Sequence, residues 1–187
     1  MKVGARSSLA DVAVAAGDAL RRAGIRAVLT GGACANLYSG GAYESMDADF
    51  VLSGSPAVKD LDDALGVLEF RRRGDRYVHD LVPFFVEFPR GPLGIGKDIR
   101  IRAVWRSRRG AKTLALSATD SCRDRLAAYY HWRDRQSLSA AVAIALRHPV
   151  GLRKIREWSR HEGHPEGYAT FLSELKQARG GRRPVRR

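Results

Sequence analysis

The chain has few cysteines and no long apolar run. Only two of its 187 residues are cysteine, Cys34 and Cys122, and neither shows metal-ligand spacing with the other or with the histidines. The simplest interpretation is two free, buried thiols in a reducing compartment. No apolar run approaches the roughly 18–20 residues of a membrane span, and residues 1–12 lack a signal-peptide core. These shortages predict a cytoplasmic protein that makes no membrane contact and is folded without disulfides.

Acidic residues are scarce relative to basic ones. The chain has 20 Asp and Glu against 33 Lys and Arg, which gives a net charge of +13. Arginines are dense at the C-terminal end. Because Val185 is the only apolar residue that residues 180–187 could bury, we predict that they form a disordered basic tail. A clustered excess of positive charge favours contact with a polyanion such as RNA, although a GC-rich genome would also enrich arginine.

The most informative segment couples a glycine pair to a pair of aspartates. An apolar run that predicts a short buried strand precedes Gly31 and Gly32. Residues 33–38 can open a helix whose first-turn N–H groups are free to bind an anion. The next segment alternates as a strand does, so Asp47 and Asp49 point to one face. Two carboxylates beside a glycine-walled phosphate cradle predict a Mg²⁺–nucleotide site, because Mg²⁺ prefers hard oxygen ligands.

Each half of this pattern also has an ordinary interpretation. A Gly-Gly pair before a helix is often only a tight turn, and Asp-x-Asp is common on surface strands. The combination, in the order strand, glycine turn, helix and strand, is what favours a functional site.

A third carboxylate is expected from a neighbouring strand. Glu87 lies in the run 81–89, which is bulky, β-prone and interrupted by prolines, and which predicts a strand buried on both sides. An acid is costly in that setting unless it binds a cation or pairs with an arginine, and both alternatives remain open for Glu87. Asp80, just before the run, is the second choice for the third ligand.

Hydrophobic periodicity divides the chain into two parts. Residues 8–116 predict an α/β (α+β) part with a small mixed sheet and flanking helices, and residues 117–179 predict a helical part packed on it. The predicted helices cover residues 8–24, 58–70, 121–135, 137–147, 151–161 and 165–178. The predicted strands lie near residues 76–79, 81–89, 99–107 and 113–117, with a turn at 71–74.

Two segments carry a resemblance to a known family. The glycine pair, the spacer and Asp47-Ala-Asp49 resemble the signature of the DNA polymerase β-like nucleotidyltransferase superfamily. The segment LSATDSCRDRLAAYYHWRDRQSL, residues 116–138, is similar to one in small prokaryotic nucleotidyltransferases related to abortive-infection toxins. The resemblance implies a sheet of nucleotidyltransferase type and transfer of an NMP from an NTP such as ATP to a hydroxyl acceptor. It also implies Mg²⁺ as cofactor, with two ions per site and Mn²⁺ as the alternative metal.

The resemblance also assigns roles to individual residues. The acids that would be catalytic and hold the metal are Asp47, Asp49 and Glu87. The residues that would contact the nucleotide are Gly31, Gly32, Ser45 and Arg123, with Asn36 as a further candidate. Arg123 stands where a lysine is expected, and arginine binds phosphate bidentately rather than as a point charge. Four other charged residues of the same segment either pair among themselves or contact substrate: Asp124, Arg125, Asp134 and Arg135.

The acceptor is open at this point. The basic charge favours RNA, such as a tRNA end, and the toxin relatives add a cognate antitoxin as an expected protein partner. A protein hydroxyl and a small molecule such as an aminoglycoside are alternatives, although a chain of charge +13 attracts a polycation poorly. A non-catalytic nucleotide- or partner-binding module of the same fold is the alternative from another class.

Overall fold

A computed structural model describes residues 1–181 as a mixed sheet of seven strands with flanking helices and a C-terminal helical part. The strands are β1 (Ala27–Leu29), β2 (Asp47–Leu52), β3 (Arg71–Arg73), β4 (Arg76–His79), β5 (Val82–Glu87), β6 (Val104–Arg108) and β7 (Ala111–Ala115). The helices are α1 (Leu9–Arg22), α2 (Gly31–Ser39), α3 (Val58–Gly66), α4 (Ala118–Trp132), α5 (Arg135–Arg147), α6 (Leu152–His161) and α7 (Pro165–Gly180). The predicted fold class is confirmed. Residues 182–187, most of the predicted tail, lie outside the described residues.

The strand order β3-β4-β5-β2-β1-β7-β6 places the segment with the two aspartates at the centre of the sheet. β2 pairs antiparallel with β1 and parallel with β5. β1 also pairs parallel with β7, while the outer pairs on both sides are antiparallel. The end of β1 therefore meets the start of β2, and the glycine pair that follows β1 comes to lie beside the aspartates.

Helix α1 anchors the core under the sheet. Ser8 and Asp11 form a reciprocal capping box at its start, which satisfies two N–H groups that the helix cannot bond itself. The helix is buried over nearly its whole length and packs against β7, α2 and α3. Inward-facing residues of the central strands, such as Phe50 and Val86, complete the same core. This cluster continues into the helical part, since it also includes Phe171.

Several boundaries differ from the sequence predictions. Helix α3 ends at Gly66, four residues short of the prediction. The arginines predicted as a turn form β3, and the turn itself is Gly74-Asp75. Strand pairing begins at Val104 in the predicted run 99–107. Helix α7 continues to Gly180, so the first residue of the predicted tail is helical.

The prediction that the run 81–89 is buried on both sides is wrong. Val82 and Val86 are buried on one face of β5, whereas Pro83 is exposed and Phe85 and Glu87 are only half-buried on the other. The strand therefore alternates between a core face and an open face, as strands of half-covered sheets do. The open face is the one that carries Glu87.

Both cysteines are free and buried, as the sequence predicted. Cys34 lies in α2 and Cys122 in α4, and both side chains are fully buried. Burial raises the pKa of both thiols, that of Cys34 to about 12. Among the described helices, none combines the length and the apolar character that a membrane crossing requires.

The contact between α1 and β7 generates a prediction about a glycine. A Cβ on Gly17 would overlap the buried side chain of Thr113, so Gly17→Ala overpacks the core. We expect a net loss of about 1–2 kcal/mol in the free energy of unfolding, because overpacking outweighs the helix propensity of alanine. Urea unfolding measures it. In the control, Gly66→Ala, the new Cβ meets open space, and stability should be unchanged or slightly higher. Equal behaviour of the two variants would contradict the tight packing of α1 on β7.

Candidate metal and phosphate site

The three predicted acids converge on the open face of the sheet. β2 and β5 are in parallel register with Asp49 opposite Glu87, so these side chains lie next to each other, and Asp47 precedes Asp49 on the same face. One carboxylate oxygen from each of the three residues lies within 4.8 Å of the others. Asp80 is elsewhere, paired with Arg71 on the surface. We call Asp47, Asp49 and Glu87 the acid cluster.

The glycine pair forms the first turn of α2 and lies against the acid cluster. Gly31 has a φ of +61°, a left-handed conformation that strains other residues, and a Cβ there would meet the Asp49 carboxylate. A Cβ on Gly32 would meet Ser45 and Tyr43. The backbone amide of Thr30 fixes this turn by donating to the Asp49 carbonyl at 2.9 Å. Both glycines are therefore required by close approach, and the helix begins two residues earlier than predicted.

Ser45 and Asn36 line the loop that joins α2 to β2, but only Ser45 reaches the site. The Ser45 hydroxyl donates to the Asp47 carboxylate and stands over the first turn of α2. The Asn36 amide instead donates to the Tyr43 carbonyl at 2.6 Å and is buried, which holds the loop in place. Ser45 is placed to contact an anion at the helix start, and Asn36 has a structural role.

Burial and repulsion raise the pKa of two of the acids. For Asp49 the largest cause is desolvation, followed by the negative charges of Asp47 and Glu87, and its pKa rises to about 7. Desolvation also raises the pKa of Glu87, helped by Asp47 and opposed by Arg76. A protonated acid at neutral pH is a poor metal ligand, but a bound cation would reverse the balance by favouring the charged forms.

The prediction that Arg123 contacts phosphate is wrong. Its side chain is 1% exposed, and its guanidinium donates to Asp98 at 2.7 Å and to Asp120 at 2.8 Å. It also lies over the ring of Trp158, 5.0 Å from the centroid. Arg123 therefore joins α4 to α6 and to the loop before β6, and it has no free face for a ligand.

Arg125, for which the sequence left pairing and substrate contact open, is the arginine of α4 that faces the acid cluster. Its charge lowers the pKa of Asp49, whereas that of its neighbour Asp124 raises it. The Arg125 guanidinium is held by Asp124 at 2.8 Å and by the Tyr43 hydroxyl at 3.2 Å. Helical spacing does not separate the two arginines, because position 123 shares a face with the core residue Leu126 and position 125 shares one with the core residue Cys122.

The other two charged residues of that segment have structural partners. Asp134 caps α5 by accepting from the backbone amides of Gln136 and Ser137. Arg135 pairs with Glu174 of α7 at 2.7 Å. Of the four charged residues for which mutual pairing was one alternative, only Asp124 and Arg125 pair with each other.

The raised pKa of Asp49 predicts a pH dependence of stability. Its pKa is about 7 in the folded protein against 3.8 ordinarily, so the unfolded chain loses this proton first. The folded state is thus increasingly disfavoured as pH rises from about 4 to about 7, and the full penalty remains above that range. Without divalent ions, Asp49→Asn should melt several degrees above wild type at about pH 8 and lose this advantage near pH 4. Thermal melts over this pH range measure the difference in melting temperature between Asp49→Asn and the wild type, and Asp80→Asn is the control variant.

Divalent cations should act on the same residues. Mg²⁺ should raise the melting temperature of the wild type by mass action, and more so at higher pH where the acids are ionised. The variant Asp47→Asn/Asp49→Asn should show little of this response, while Asp80→Asn should keep it. An equal Mg²⁺ response in the double variant and the wild type would rule out the acid cluster as the metal site.

The chain was also compared with known proteins. Comparisons with protein-family models, with curated proteins and with solved structures gave no match. The features of the chain that bear on its function are therefore the residues and geometry of the site itself. These are three half-buried acids within shared reach, a glycine turn at a helix start, one hydroxyl and one arginine.

Proposed function

We propose that the chain is a Mg²⁺-dependent nucleotidyltransferase that moves an NMP from an NTP to a hydroxyl on RNA. The observation that carries the proposal is the convergence of Asp47, Asp49 and Glu87 within 4.8 Å, beside the glycine turn that opens α2. An acid cluster alone is common on protein surfaces. Its position against a helix start that can bind phosphate is the combination that a metal–nucleotide complex needs.

The donor set fits Mg²⁺. All three groups are carboxylates, and hard oxygen ligands suit this cation better than imidazole or thiolate would. They are half-buried, so water and phosphate oxygens can complete the coordination. Desolvation raises the pKa of Asp49 most, followed by the charges of Asp47 and Glu87, and a bound cation would offset both causes.

The phosphates of the NTP would lie over the start of α2. The first-turn N–H groups of Gly31 and Gly32 have no partners within the helix, and the helix dipole favours negative charge there. Ser45 adds a hydroxyl from the loop above this turn. Arg125 adds a positive charge from α4, already oriented by Asp124 and Tyr43. These groups surround the acid cluster on the side of α2.

The reaction is an in-line displacement at the α-phosphorus. The acceptor oxygen bonds to this phosphorus, the bond to the bridging oxygen of the β-phosphate breaks, and pyrophosphate leaves. Glu87 is placed to take the proton of the acceptor hydroxyl, since it stands on the far side of Asp49 from β1 and its pKa is raised. When bound, Mg²⁺ would neutralise charge developing on the phosphates and lower the pKa of that hydroxyl.

Charge favours RNA as the acceptor. At +13 the chain attracts polyanions and repels polycations such as aminoglycosides. The resemblance to toxin nucleotidyltransferases points in the same direction, towards a tRNA end. A protein acceptor would not be repelled by the chain. It would, however, give the excess of basic residues no binding role.

Transfer of label tests the proposed activity. The purified chain, incubated with Mg²⁺, each α-labelled NTP and total RNA, should place label on RNA. Asp47→Asn and Asp49→Asn should each reduce the rate by at least about 100-fold, because each removes stabilisation of transition-state charge. Gel separation of the RNA and protein fractions provides the readout.

The matched control is Asp80→Asn, which removes an acid outside the cluster and should transfer label at the wild-type rate. Label in the protein fraction alone would correct the acceptor but keep the reaction. If the wild type binds Mg²⁺ and nucleotide but transfers no label from any of the NTPs, catalysis is contradicted and a non-catalytic binding module is favoured.

Arg125 generates a separate prediction about nucleotide binding. Arg125→Gln should weaken the binding of an NTP by about tenfold, since one charged contact to phosphate is lost. Arg125→Lys should recover part of it by keeping the charge. Because Arg125 also pairs with Asp124, melts should confirm that both variants fold. Binding of a fluorescent NTP in the presence of Ca²⁺ measures the effect. Arg123→Lys is the contrasting variant, and it should lower stability with little change in nucleotide affinity among the folded molecules.

A further inference from the structure

Four charged residues form one row across the open face of the sheet. Register places Asp49 of β2 opposite Glu87 of β5, Glu87 opposite Arg76 of β4, and Arg76 opposite Arg73 of β3. Paired residues of adjacent strands project from the same face. Since neighbouring strands lie about 4.8 Å apart, Arg76 and Arg73 stand one and two strands from Glu87, on the side away from α2. The row therefore changes from negative to positive as it leaves the acid cluster.

The arginines of this hairpin, residues 71–79, divide into two groups. Arg72 points to the opposite face, where it and the Tyr77 hydroxyl both contact Asp62 of α3. Arg71 pairs with Asp80. Arg73 and Arg76 are exposed, and neither forms an ion pair within the described part of the chain. The charge of Arg76 acts on Glu87, whose pKa it lowers, but among the described residues neither arginine is neutralised by a direct ion pair.

An aromatic ring completes this surface. Phe85 lies in register with Asp47, on the same face of β5 as Glu87, and is half-buried. The guanidinium of Arg76 lies 4.9 Å from the centroid of the Phe85 ring. Proteins that bind single-stranded nucleic acids combine aromatic rings, on which bases stack, with arginines that contact phosphate, and here the arginine covers one face of the ring. We call Arg73, Arg76 and Phe85 the hairpin surface.

We propose that the hairpin surface binds the acceptor strand of a single-stranded RNA and leads its terminal hydroxyl to Glu87. The inference rests on the proposed nucleotidyl transfer and adds where the acceptor lies. A phosphate chain is repelled by three carboxylates, so it needs fixed positive charge next to them in order to approach. The nucleotide occupies the α2 side, and the hairpin surface borders the same acids from the opposite side. The two substrates thus meet at Asp49 and Glu87.

A second arginine-rich segment, residues 100–109, is not in register with the acid cluster, and three of its five arginines are held by contacts within the fold. Arg108 and Arg109 both contact Asp11, the capping residue of α1, at 2.7 and 3.5 Å. Arg106 lies over the ring of Tyr38, 4.9 Å from its centroid. These side chains hold β6 to the core, and no register row joins them to the acid cluster.

Binding of RNA to the full chain tests the hairpin surface. The probe is a fluorescein-labelled single-stranded RNA, and anisotropy is measured over a range of salt with EDTA and no NTP. Arg73→Gln/Arg76→Gln should weaken binding by about tenfold for each lost charged contact. It should also make the slope of log affinity against log salt shallower by about 0.7 per contact. Asp75→Asn, which removes the one acid of the hairpin turn, should strengthen binding.

The matched control is Arg156→Gln/Arg160→Gln, which removes two exposed arginines of α6 and gives the same net charge. It should change affinity and slope much less. Equal losses in the two double variants would mean that only total charge matters and would overturn the proposal. Because all substituted arginines are exposed, melts should be unchanged, which separates binding from folding.

Crosslinking locates the strand independently. An RNA with a photoreactive 3′-terminal base should crosslink within residues 71–88, whereas crosslinks confined to the helical part would overturn the proposal. Neither readout requires catalysis. If the binding and crosslinking results both contradict the hairpin surface while label transfer is intact, the acceptor strand binds elsewhere and the proposed function stands. RNA bound at the hairpin without any label transfer would instead contradict the proposed function and keep the surface as an RNA-binding site.

Discussion

Repulsion among three carboxylates within 4.8 Å of one another is the constraint around which the centre of this protein is built. Such a cluster is stable only if protons, cations or oriented dipoles compensate it. The chain supplies partial compensation from every side: the start of α2, the Ser45 hydroxyl, and the guanidinium groups of Arg125 and Arg76. The compensation is incomplete, because burial first, and then the charges of Asp47 and Glu87, still raise the pKa of Asp49. The negative charge that these groups leave uncompensated is suited to a ligand that carries its own positive charge.

Local pattern was enough to predict most of the central elements. Alternation placed Asp47 and Asp49 on one strand face, and the apolar run before Gly31 identified the strand beside it. Helix α1 and the helices of the C-terminal part followed from helical periodicity, to within one or two turns. Glu87 lies in the cluster as expected, although the two-sided burial from which its cost was argued is wrong. All of these inferences use residues that are close in sequence.

What the sequence did not predict depends on contacts between distant segments. Arg123 and Arg125 look equivalent in a linear reading, and only the packing of α4 against α6 decides which one is buried with Asp98 and Asp120. The two-sided burial expected for β5 failed because no local signal tells whether a helix covers a strand face. The arginines of β3 became a strand because they pair with β4, a partner that overrides their weak β propensity.

The two buried thiols sit in the helices on which the site depends. Cys34 is in α2, directly behind the glycine turn, and Cys122 is in α4, next to the arginine that joins the two parts. Neither thiol reacts while it is enclosed, because the reactive thiolate is both inaccessible and suppressed by burial. Modification of either one thus requires its helix to separate from the core. The protein carries two built-in chemical reporters of local opening, one in α2 and one in α4.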